Sequence, residues 1–256
     1  MVAAPEAAYS EMAQYYDRAY GSRPYSGEAR QLRQWARRYT VGRRWLDVAC
    51  GTGEHLRWLR QWYTVSGVEP SAAMLRVARR KLPGVRLHQA RMESFRLPEQ
   101  FDVISCLFSA VGYLPHRAAL NRTLRNFARH LAPDGVLFVE PWIFPEQFHP
   151  RGPHGVYVLR RDLPEGVLIR MNRTVRHGRR TTMDFHHLWG DRDGIRYFVE
   201  RHVSWMFTRA EFVAAFHSAG FRVRLLRPGL STRRGLWIAR HSEPPGIRRA
   251  QGRPSP

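Results

Sequence analysis

The strongest limit on the fold comes from a short apolar segment that runs into glycines. The segment, Trp45-Leu-Asp-Val-Ala-Cys-Gly-Thr-Gly-Glu54, is typical of a buried strand, a turn of small residues and the start of a helix. Glycines at such a junction let a ligand approach the backbone, and the following helix presents its amide groups there. The segment therefore predicts a nucleotide-binding turn after the first strand.

The acids around this turn indicate which nucleotide it binds. A dinucleotide site would need a third glycine, and Leu56 stands at that position. Instead, Asp47 precedes the turn, and Glu69 closes the second strand, where a carboxylate can accept hydrogen bonds from both ribose hydroxyls. Together with Gly51 and Gly53, these acids favour S-adenosylmethionine over NAD.

Short apolar runs alternate with amphipathic stretches along most of the chain, as in a largely parallel sheet flanked by helices. Ser71 is placed as a helix N-cap, and Pro133-Asp134-Gly135 is placed as a turn. The first part of the chain is predicted to hold strands at 45–49, 64–68, 85–88, 101–106 and 135–140, and helices at 54–62, 72–82 and 118–131.

The periodicity changes after Pro141. Four successive antiparallel strands, separated by turn residues, are predicted at 157–160, 168–175, 181–189 and 197–205. The core then resumes with one helix, ended by Gly220, and two closing strands, at 208–219, 221–226 and 235–239. The chain is therefore predicted to be an α/β protein with a Rossmann-like class I methyltransferase core and an inserted antiparallel β-sheet.

Five regions are expected along the chain. They are an N-terminal helical cap over the cofactor (1–42), the Rossmann-like cofactor-binding core (43–142), the antiparallel insertion acting as a substrate lid (143–206), the completion of the core (207–242) and a tail (243–256). The tail is rich in Pro, Gly and Arg, a composition that predicts disorder.

The net charge of +21 raises the question of nucleic-acid binding, because clustered cations bind a phosphate backbone. The 42 basic residues include a single lysine, Lys81, and the arginines are scattered through every segment. Such scatter is typical of a compositional bias, so nucleic acid is not expected as a partner.

No segment approaches the apolar length needed to cross a bilayer, and no membrane association is expected. The two cysteines, Cys50 and Cys106, lie in strand-like surroundings and are expected to be buried thiols of a reducing compartment. We therefore expect a cytoplasmic protein. Exposed strand edges in the inserted sheet often find partners, so a homodimer is one option and the oligomeric state stays open.

Beyond the glycine turn, the chain resembles the N,N-dimethyltransferases that act on dTDP-linked amino-dideoxy sugars of the desosamine and mycaminose type. The likeness runs from about residue 9 to about residue 239. It rests on Tyr15-Tyr16-Asp17, Tyr25, Leu46-Asp-Val-Ala-Cys-Gly-Thr-Gly53, Leu87-His-Gln89, Met92, Phe108-Ser-Ala-Val-Gly-Tyr-Leu114, Val139-Glu-Pro-Trp142, Phe144-Pro145 and Arg234-Gly-Leu236. The Gly-Tyr-Leu and Glu-Pro-Trp segments are far more restrictive than the glycine turn.

The resemblance implies that Tyr16 and Tyr25 close over the methionine end of the cofactor, and that Tyr9 and Tyr113 face the sugar amine as catalytic residues. Met92 is expected to stack beside adenine, with Glu93 at the adenine amino group because Arg91 stands where many relatives have Asp. The full set expected to bind the cofactor is Tyr16, Tyr25, Asp47, Ala49, Cys50, Gly51, Gly53, Glu69, Met74, Met92, Glu93 and Phe108.

A nucleotide sugar carries a diphosphate, and an arginine fork matches phosphate oxygens. Arg234, in the Arg-Gly-Leu motif, is the first choice for that contact, ahead of Arg170 and Arg173. Trp142 is expected at the floor of the sugar pocket, and His186 is expected to reach the substrate. No pair of histidines has a convincing metal-ligand spacing.

The sequence thus predicts an S-adenosylmethionine-dependent N-methyltransferase that acts on a nucleotide-linked amino sugar by in-line displacement. Because an unperturbed phenol ionises only near pH 10, proton abstraction by Tyr113 is not expected to dominate. Two alternatives stay open. One is N-methylation of another small amine such as an amino acid, and the other is a nucleic-acid-binding protein with the same fold.

Overall fold

The computed structural model describes residues 11–149 and 155–242 of the chain. In chain order the elements are α1 (Tyr16–Tyr20), α2 (Tyr25–Ala36), β1 (Arg44–Val48), α3 (Glu54–Leu59), β2 (Thr64–Glu69), α4 (Ala72–Lys81), β3 (Arg86–Gln89), β4 (Phe101–Cys106), α5 (Arg117–His130), β5 (Leu131–Val139), β6 (Val156–Leu163), β7 (Gly166–His177), β8 (Arg180–Asp191), β9 (Gly194–Trp205), α6 (Arg209–Ser218), β10 (Phe221–Leu226) and β11 (Leu236–His241).

Seven strands form the central sheet, in the order β10-β11-β5-β4-β1-β2-β3. Strands β1 to β5 are parallel, whereas β11 is antiparallel to β5 and β10 is antiparallel to β11. The sheet has apolar packing on both faces, which explains its continuous apolar strands. The strand order reverses between β1 and β4, and the loops after these two strands therefore flank the crevice where ligands bind in such folds. The predicted fold class is confirmed.

A buried polar chain links β1 to β4. The indole Nε1 of Trp45 donates to Ser105 Oγ at 2.8 Å, and that hydroxyl donates to Asp47 Oδ1 at 2.6 Å. All three side chains are buried, so each polar group needs an internal partner. These two hydrogen bonds fix the orientation of the Asp47 side chain directly below the glycine turn.

The other four strands form a separate antiparallel sheet in the order β6-β7-β8-β9, which we call the lid sheet. Its inner face packs on the N-terminal segment, where Met12 and Tyr15 contact Leu168, Trp189 and Phe198. Helix α1 in turn packs on α4 through Tyr16 and Met74. The N-terminal cap is therefore held between the lid sheet and the core.

The structure corrects several predicted boundaries. Helix α3 ends at Leu59 rather than residue 62, because the chain must turn before β2 begins at Thr64. The residues Pro133-Asp134-Gly135 lie within β5, where the pairing jumps from Phe101–Leu131 to Val103–Val136. The predicted turn is therefore an irregularity inside the strand, since both of its flanks pair with β4.

Helix α6 shows the end signals that the sequence predicts. Thr208 and Glu211 form a reciprocal capping box at its start, and Gly220 takes the left-handed conformation after its end, with φ +82°. The lid strands are longer than predicted, because charged residues at their ends lie on the solvent side of the sheet. The predicted tail, 243–256, lies outside the described residues. Within those residues, no helix has the length and apolar character to span a membrane.

Candidate active site

The glycine turn leaves open space on one side only. Gly51 has φ +56°, and a Cβ built there would meet nothing within 4 Å. Gly53 has φ +79°, and its Cβ would approach Leu82 Cδ1 to 2.5 Å. Packing thus requires glycine at 53, while the space above Gly51 is available to a ligand. Ala49 also has a positive φ, +59°, in the same turn.

Glu69 holds this turn through its two carboxylate oxygens. Oε2 accepts from the Gly51 amide at 3.0 Å, and Oε1 accepts from the Ser71 amide at 2.9 Å. The side chain is buried, and burial raises its pKa to about 7. Each oxygen keeps a second acceptor site, so Glu69 can hold the turn and still accept hydrogen bonds from a ligand. Burial likewise raises the pKa of Asp47, to about 6.

The other residues predicted around the cofactor surround this turn at different depths. Cys50 is buried, and its sulfur leaves room only for glycine at Gly67, whose Cβ would lie 2.7 Å from Sγ. Met92 is buried in the main apolar core. Glu93 lies beside Arg91, with 3.6 Å between Oε1 and Nη2.

The N-terminal cap is tied to the glycine turn by Asp17. Its Oδ1 accepts from Thr52 Oγ1 at 2.5 Å, and its Oδ2 lies 2.5 Å from Lys81 Nζ. Lys81 also pairs with Glu54. Asp17 has no role among the sequence predictions, although it belongs to the Tyr15-Tyr16-Asp17 motif. These contacts tie α1 to the turn and to the end of α4.

Aromatic rings extend from the cap toward the end of β4. Tyr16 packs on Tyr20 with ring centroids 4.6 Å apart, and Tyr20 meets Phe108 edge-on at 5.3 Å. Tyr25 is buried and meets His55 edge-on, and burial raises the pKa of its phenol. The ring therefore stays neutral and presents aromatic faces and edges.

The segment after β4 is strained. Phe108 and Ser109 both have positive φ, +51° and +65°, although neither is glycine. Glu140 accepts from the Phe108 amide at 2.6 Å, and Ser109 Oγ donates to the Pro141 carbonyl at 2.8 Å. Two consecutive non-glycine residues with positive φ raise the conformational energy of the backbone. Such strain is often found at binding and catalytic sites.

A cavity of about 600 Å³ separates this strained segment from the lid sheet. Four of the predicted site residues line it: Phe108, Tyr113, Trp142 and Arg234. The cap and the lid sheet contribute a larger set of residues, which have no role among the sequence predictions or, like Arg170, a less favoured one. Residues of the cap and lid on the cavity wall include Tyr20, Ser22, Arg23, Tyr157, Arg161, Arg170, Asn172, Thr174, Met183, Phe185 and Ser204.

Two arginines reach this cavity from opposite walls. The guanidinium of Arg234 lies 4.3 Å above the Trp142 ring, and its Nη1 donates to Ser109 Oγ at 2.7 Å. Arg170 is 8% exposed, and its Nη1 donates to the Tyr20 hydroxyl at 2.6 Å. Among the described residues no carboxylate lies within 4 Å of Arg170, and its buried Nε has no hydrogen-bond partner. The cavity therefore presents positive charge to whatever fills it.

The alternation of the lid strands corrects the placement of His186 and distinguishes Arg173 from Arg170. His186 is exposed and accepts or donates a hydrogen bond with the Tyr197 hydroxyl at 2.7 Å, on the face of the lid sheet away from the cavity. Arg173 is also exposed on that outer face. Neighbouring residues in a strand point to opposite sides, so Arg170 and Phe185 face inward instead.

Arg170, Asn172 and Thr174 alternate along β7 and share its inward face. The period of two is visible in the sequence, but which face points to the cavity depends on the register of the lid strands. Tyr9, expected at the sugar amine, lies outside the described residues.

Comparison with known proteins identifies the family. A methyltransferase-domain model matches residues 46–135. The dTDP-3-amino-3,6-dideoxy-alpha-D-glucopyranose N,N-dimethyltransferase of Streptomyces fradiae is 40% identical over 92% of this chain and 93% of its own length. The dTDP-4-amino-2,3,4,6-tetradeoxy-D-glucose N,N-dimethyltransferase of Saccharopolyspora spinosa is 38% identical over 88% of this chain and 91% of its own.

A solved structure agrees with these relatives. It is the structure, with S-adenosylmethionine bound, of CalS10, an amino pentose methyltransferase from Micromonospora echinaspora. It is 38% identical, covers 90% of this chain and 97% of its own, and has a TM-score of 0.80. The chain therefore belongs to the family of S-adenosylmethionine-dependent N,N-dimethyltransferases of dTDP-linked amino-deoxy sugars.

Proposed function

We propose that this protein transfers methyl groups from S-adenosylmethionine to the amine of a dTDP-linked amino-deoxy sugar. The observation that carries this proposal is the cavity beside the strained segment after β4, with Tyr20 and Arg23 of the cap and the two arginines Arg170 and Arg234 on its walls. A substrate with an amine at one end and a diphosphate at the other matches this distribution of charge.

The residues at the glycine turn fit S-adenosylmethionine. Open space at Gly51 admits the nucleoside, and the buried Glu69 retains acceptor sites for the two ribose hydroxyls. Met92 and Glu93 would lie at the adenine, and Tyr16 and Tyr25 at the methionine end. The remaining residues assigned to this site are Asp47, Ala49, Cys50, Gly53, Met74 and Phe108. When bound, the cofactor supplies a methyl group on a positively charged sulfur.

The protein's own contribution is position and exclusion of water. The cap, tied down by Asp17, and the lid sheet close over the reacting groups from two sides. Alignment of an amine with a methyl carbon can supply up to about 7–11 kcal/mol of the barrier reduction in favourable cases. Tyrosine faces near the sulfur stabilise its positive charge without a formal counter-ion.

The diphosphate would be held between Arg170 and Arg234. Arg234 packs on the Trp142 ring and lines the cavity, and its planar guanidinium has the geometry that matches phosphate oxygens. Arg170 gains a partner for its buried Nε when an anion enters. A free small amine such as an amino acid would use neither the length of this cavity nor both guanidiniums. A nucleic-acid-binding protein would need neither the open glycine turn nor a cavity between the core and the lid sheet.

We also propose that two copies associate through the outer face of the lid sheet. This face exposes Met171, Leu188, Ile195, Tyr197 and Val199, and Ile195 is 78% exposed. A contiguous apolar patch of this kind marks an interaction surface. Two ion pairs, Arg160–Asp162 and Arg201–Asp184, offset part of the charge on this face, which also exposes Arg173.

The proposed activity is tested by incubating the protein with S-adenosylmethionine and a panel of dTDP-linked 3-amino and 4-amino deoxy sugars. Mass spectrometry should show products heavier by one and then two methyl groups. The same incubations with free amino acids and with the sugars lacking the nucleotide are the controls. Methylation of a free amine, with none of any nucleotide sugar, would support the first alternative and reject the proposal.

Glu69 is tested by the pH dependence of cofactor binding. Because its raised pKa is about 7, the carboxylate becomes protonated as the pH falls, and the hydrogen bonds from the ribose weaken. Wild-type affinity should drop about fourfold between pH 8 and pH 6.5, as the ionised fraction falls. Glu69→Gln should bind roughly 10- to 150-fold more weakly at pH 8 and lose this pH dependence.

Calorimetric titration with S-adenosylmethionine measures both effects, and Glu99→Gln, which alters an ion pair with Arg86, serves as the control. If Glu69→Gln binds as tightly as the wild type, the ribose contact is wrong.

Arg170 is tested by substrate kinetics. Arg170→Gln should raise the KM for the dTDP-linked sugar about tenfold or more while kcat changes little, because the lost contact lies away from the amine. Arg173→Gln, on the same strand but on the outer face, is the matched control and should behave as the wild type. An equal rise in KM for the sugar without its nucleotide would contradict a diphosphate contact.

The interface is tested by sedimentation velocity. Ile195→Asp and Val199→Asp should convert a dimer into a monomer, because each would bury an unpaired charge. Val41→Asp is the control, since Val41 is 99% exposed and lies outside the lid sheet. A monomeric wild type at tens of micromolar protein would overturn this proposal.

A further inference from the structure

The proposed reaction leaves a proton to be removed. When a neutral amine attacks the methyl carbon, the C–N bond forms as the C–S bond breaks and its electron pair passes to sulfur. The product is an ammonium, which has no lone pair. A second methyl transfer to the same nitrogen therefore requires that one proton leave first, and the residues beside the cavity must provide its route.

A buried chain of polar side chains starts at the cavity wall. The hydroxyl of Tyr113 lies 2.7 Å from Nδ1 of His202. His202 is 1% exposed and stands on the inner face of β9. Its Nε2 lies 3.6 Å from Glu200 Oε2 on the same strand. Tyr113 lines the cavity, so this chain leads from the place of the substrate into the lid sheet.

We propose that His202, with Glu200 as its counter-ion, accepts through the Tyr113 hydroxyl the proton that the methylated amine loses. This inference rests on the proposed function. The amine N–H donates to the phenol oxygen while the phenol O–H passes its proton to Nδ1 of His202. The amine regains its lone pair, Tyr113 ends as a neutral phenol, and His202 becomes an imidazolium beside the carboxylate.

This arrangement answers the objection to Tyr113 as a base. A phenol acting alone would have to become a phenolate, which an unperturbed pKa near 10 opposes. With an imidazole as the acceptor, the phenol oxygen gains a proton from the amine as it passes its own proton to the imidazole, so no phenolate forms. An imidazole is suited to accept a proton near neutral pH.

The charges around His202 come from several elements. Glu200 on β9 faces it directly, Asp184 and His187 lie on β8, and Arg170 lies on β7. Burial lowers the pKa of His187 to about 4, so this second histidine, whose Nε2 lies 3.9 Å from Glu200, stays neutral. Glu200 therefore serves His202 as the available counter-ion. The positive Arg170 would be offset by the substrate's diphosphate.

Glu200 also couples this chain to the cap. Its Oε1 accepts from the Met12 amide at 3.2 Å. Closure of the N-terminal segment thus fixes the carboxylate at the same time as it covers the cofactor turn. The proton acceptor is complete only when the cap is in place.

The test follows both methyl transfers at two pH values. His202→Asn keeps an acceptor near the position of Nδ1 but cannot take up a proton. Near pH 7 this variant should accumulate monomethylated sugar, with the ratio of dimethylated to monomethylated product reduced about tenfold or more. Near pH 9, where solvent removes the proton, the ratio should recover. The KM for the sugar and the affinity for S-adenosylmethionine should stay within about twofold of the wild type.

Tyr113→Phe should give the same product ratio and the same recovery, and the double variant should be no worse than either single one, because the two act as a unit. Glu200→Gln should shift the acid limb of the wild-type pH profile to lower pH, since loss of the negative charge disfavours the imidazolium. His187→Asn, on the same face and beside the same carboxylate, is the matched control and should keep the wild-type profile.

Equal loss of both methylations at every pH, without recovery, would show a structural role for His202 and overturn the relay. If His202→Asn does not fold, Tyr113→Phe and Glu200→Gln carry the test, because normal dimethylation near pH 7 in Tyr113→Phe also overturns it. A wild type that methylates no nucleotide sugar would instead remove the proposed function, and the relay with it.

Discussion

The carboxylate of Glu69 organises the cofactor end of this protein. Its two oxygens bind the amides of Gly51 and Ser71, and so join the turn after β1 to the start of α4. Lys81 at the end of α4 then pairs with Asp17, which also binds Thr52 in the turn. The cap is placed by these bonds, and the aromatic contacts from Tyr16 to Phe108 depend on the cap. Removing the acid would loosen each later contact.

The substrate end is organised differently, by the meeting of two sheets. The strained segment after β4 offers Ser109 and Phe108, Trp142 follows β5, and the lid sheet supplies Arg170 from the other side. The lid is anchored through the cap, since Met12 contacts both its apolar inner face and Glu200. The proposed cofactor site, the proposed substrate cavity and the Tyr113–His202 pair therefore share one structural support.

The fold was largely predictable, because local patterns specify it. Alternation of apolar runs, the capping box at Thr208 and Glu211 and the glycine at 220 all act over a few residues, and the structure confirms them. The failures arose where pairing between strands decided the outcome. The Pro133-Asp134-Gly135 turn was absorbed into β5 because both flanks pair with β4. His186 was placed inward because the register of the lid strands, which sets the direction of every side chain, cannot be obtained from one strand alone.

By itself the sequence determined the cofactor turn, its acids and the family, since strand, glycines and carboxylates are neighbours along the chain or follow a fixed order of elements. Only the tertiary structure decided which arginine reaches the cavity, that Asp17 ties the cap, and that Tyr113 meets His202 across 89 positions of sequence. The physical reason is the distance along the sequence between the residues that interact. Backbone conformation and burial pattern are read from adjacent residues, whereas contacts between the core and the lid depend on strand register, and register is set by the packing of the whole molecule.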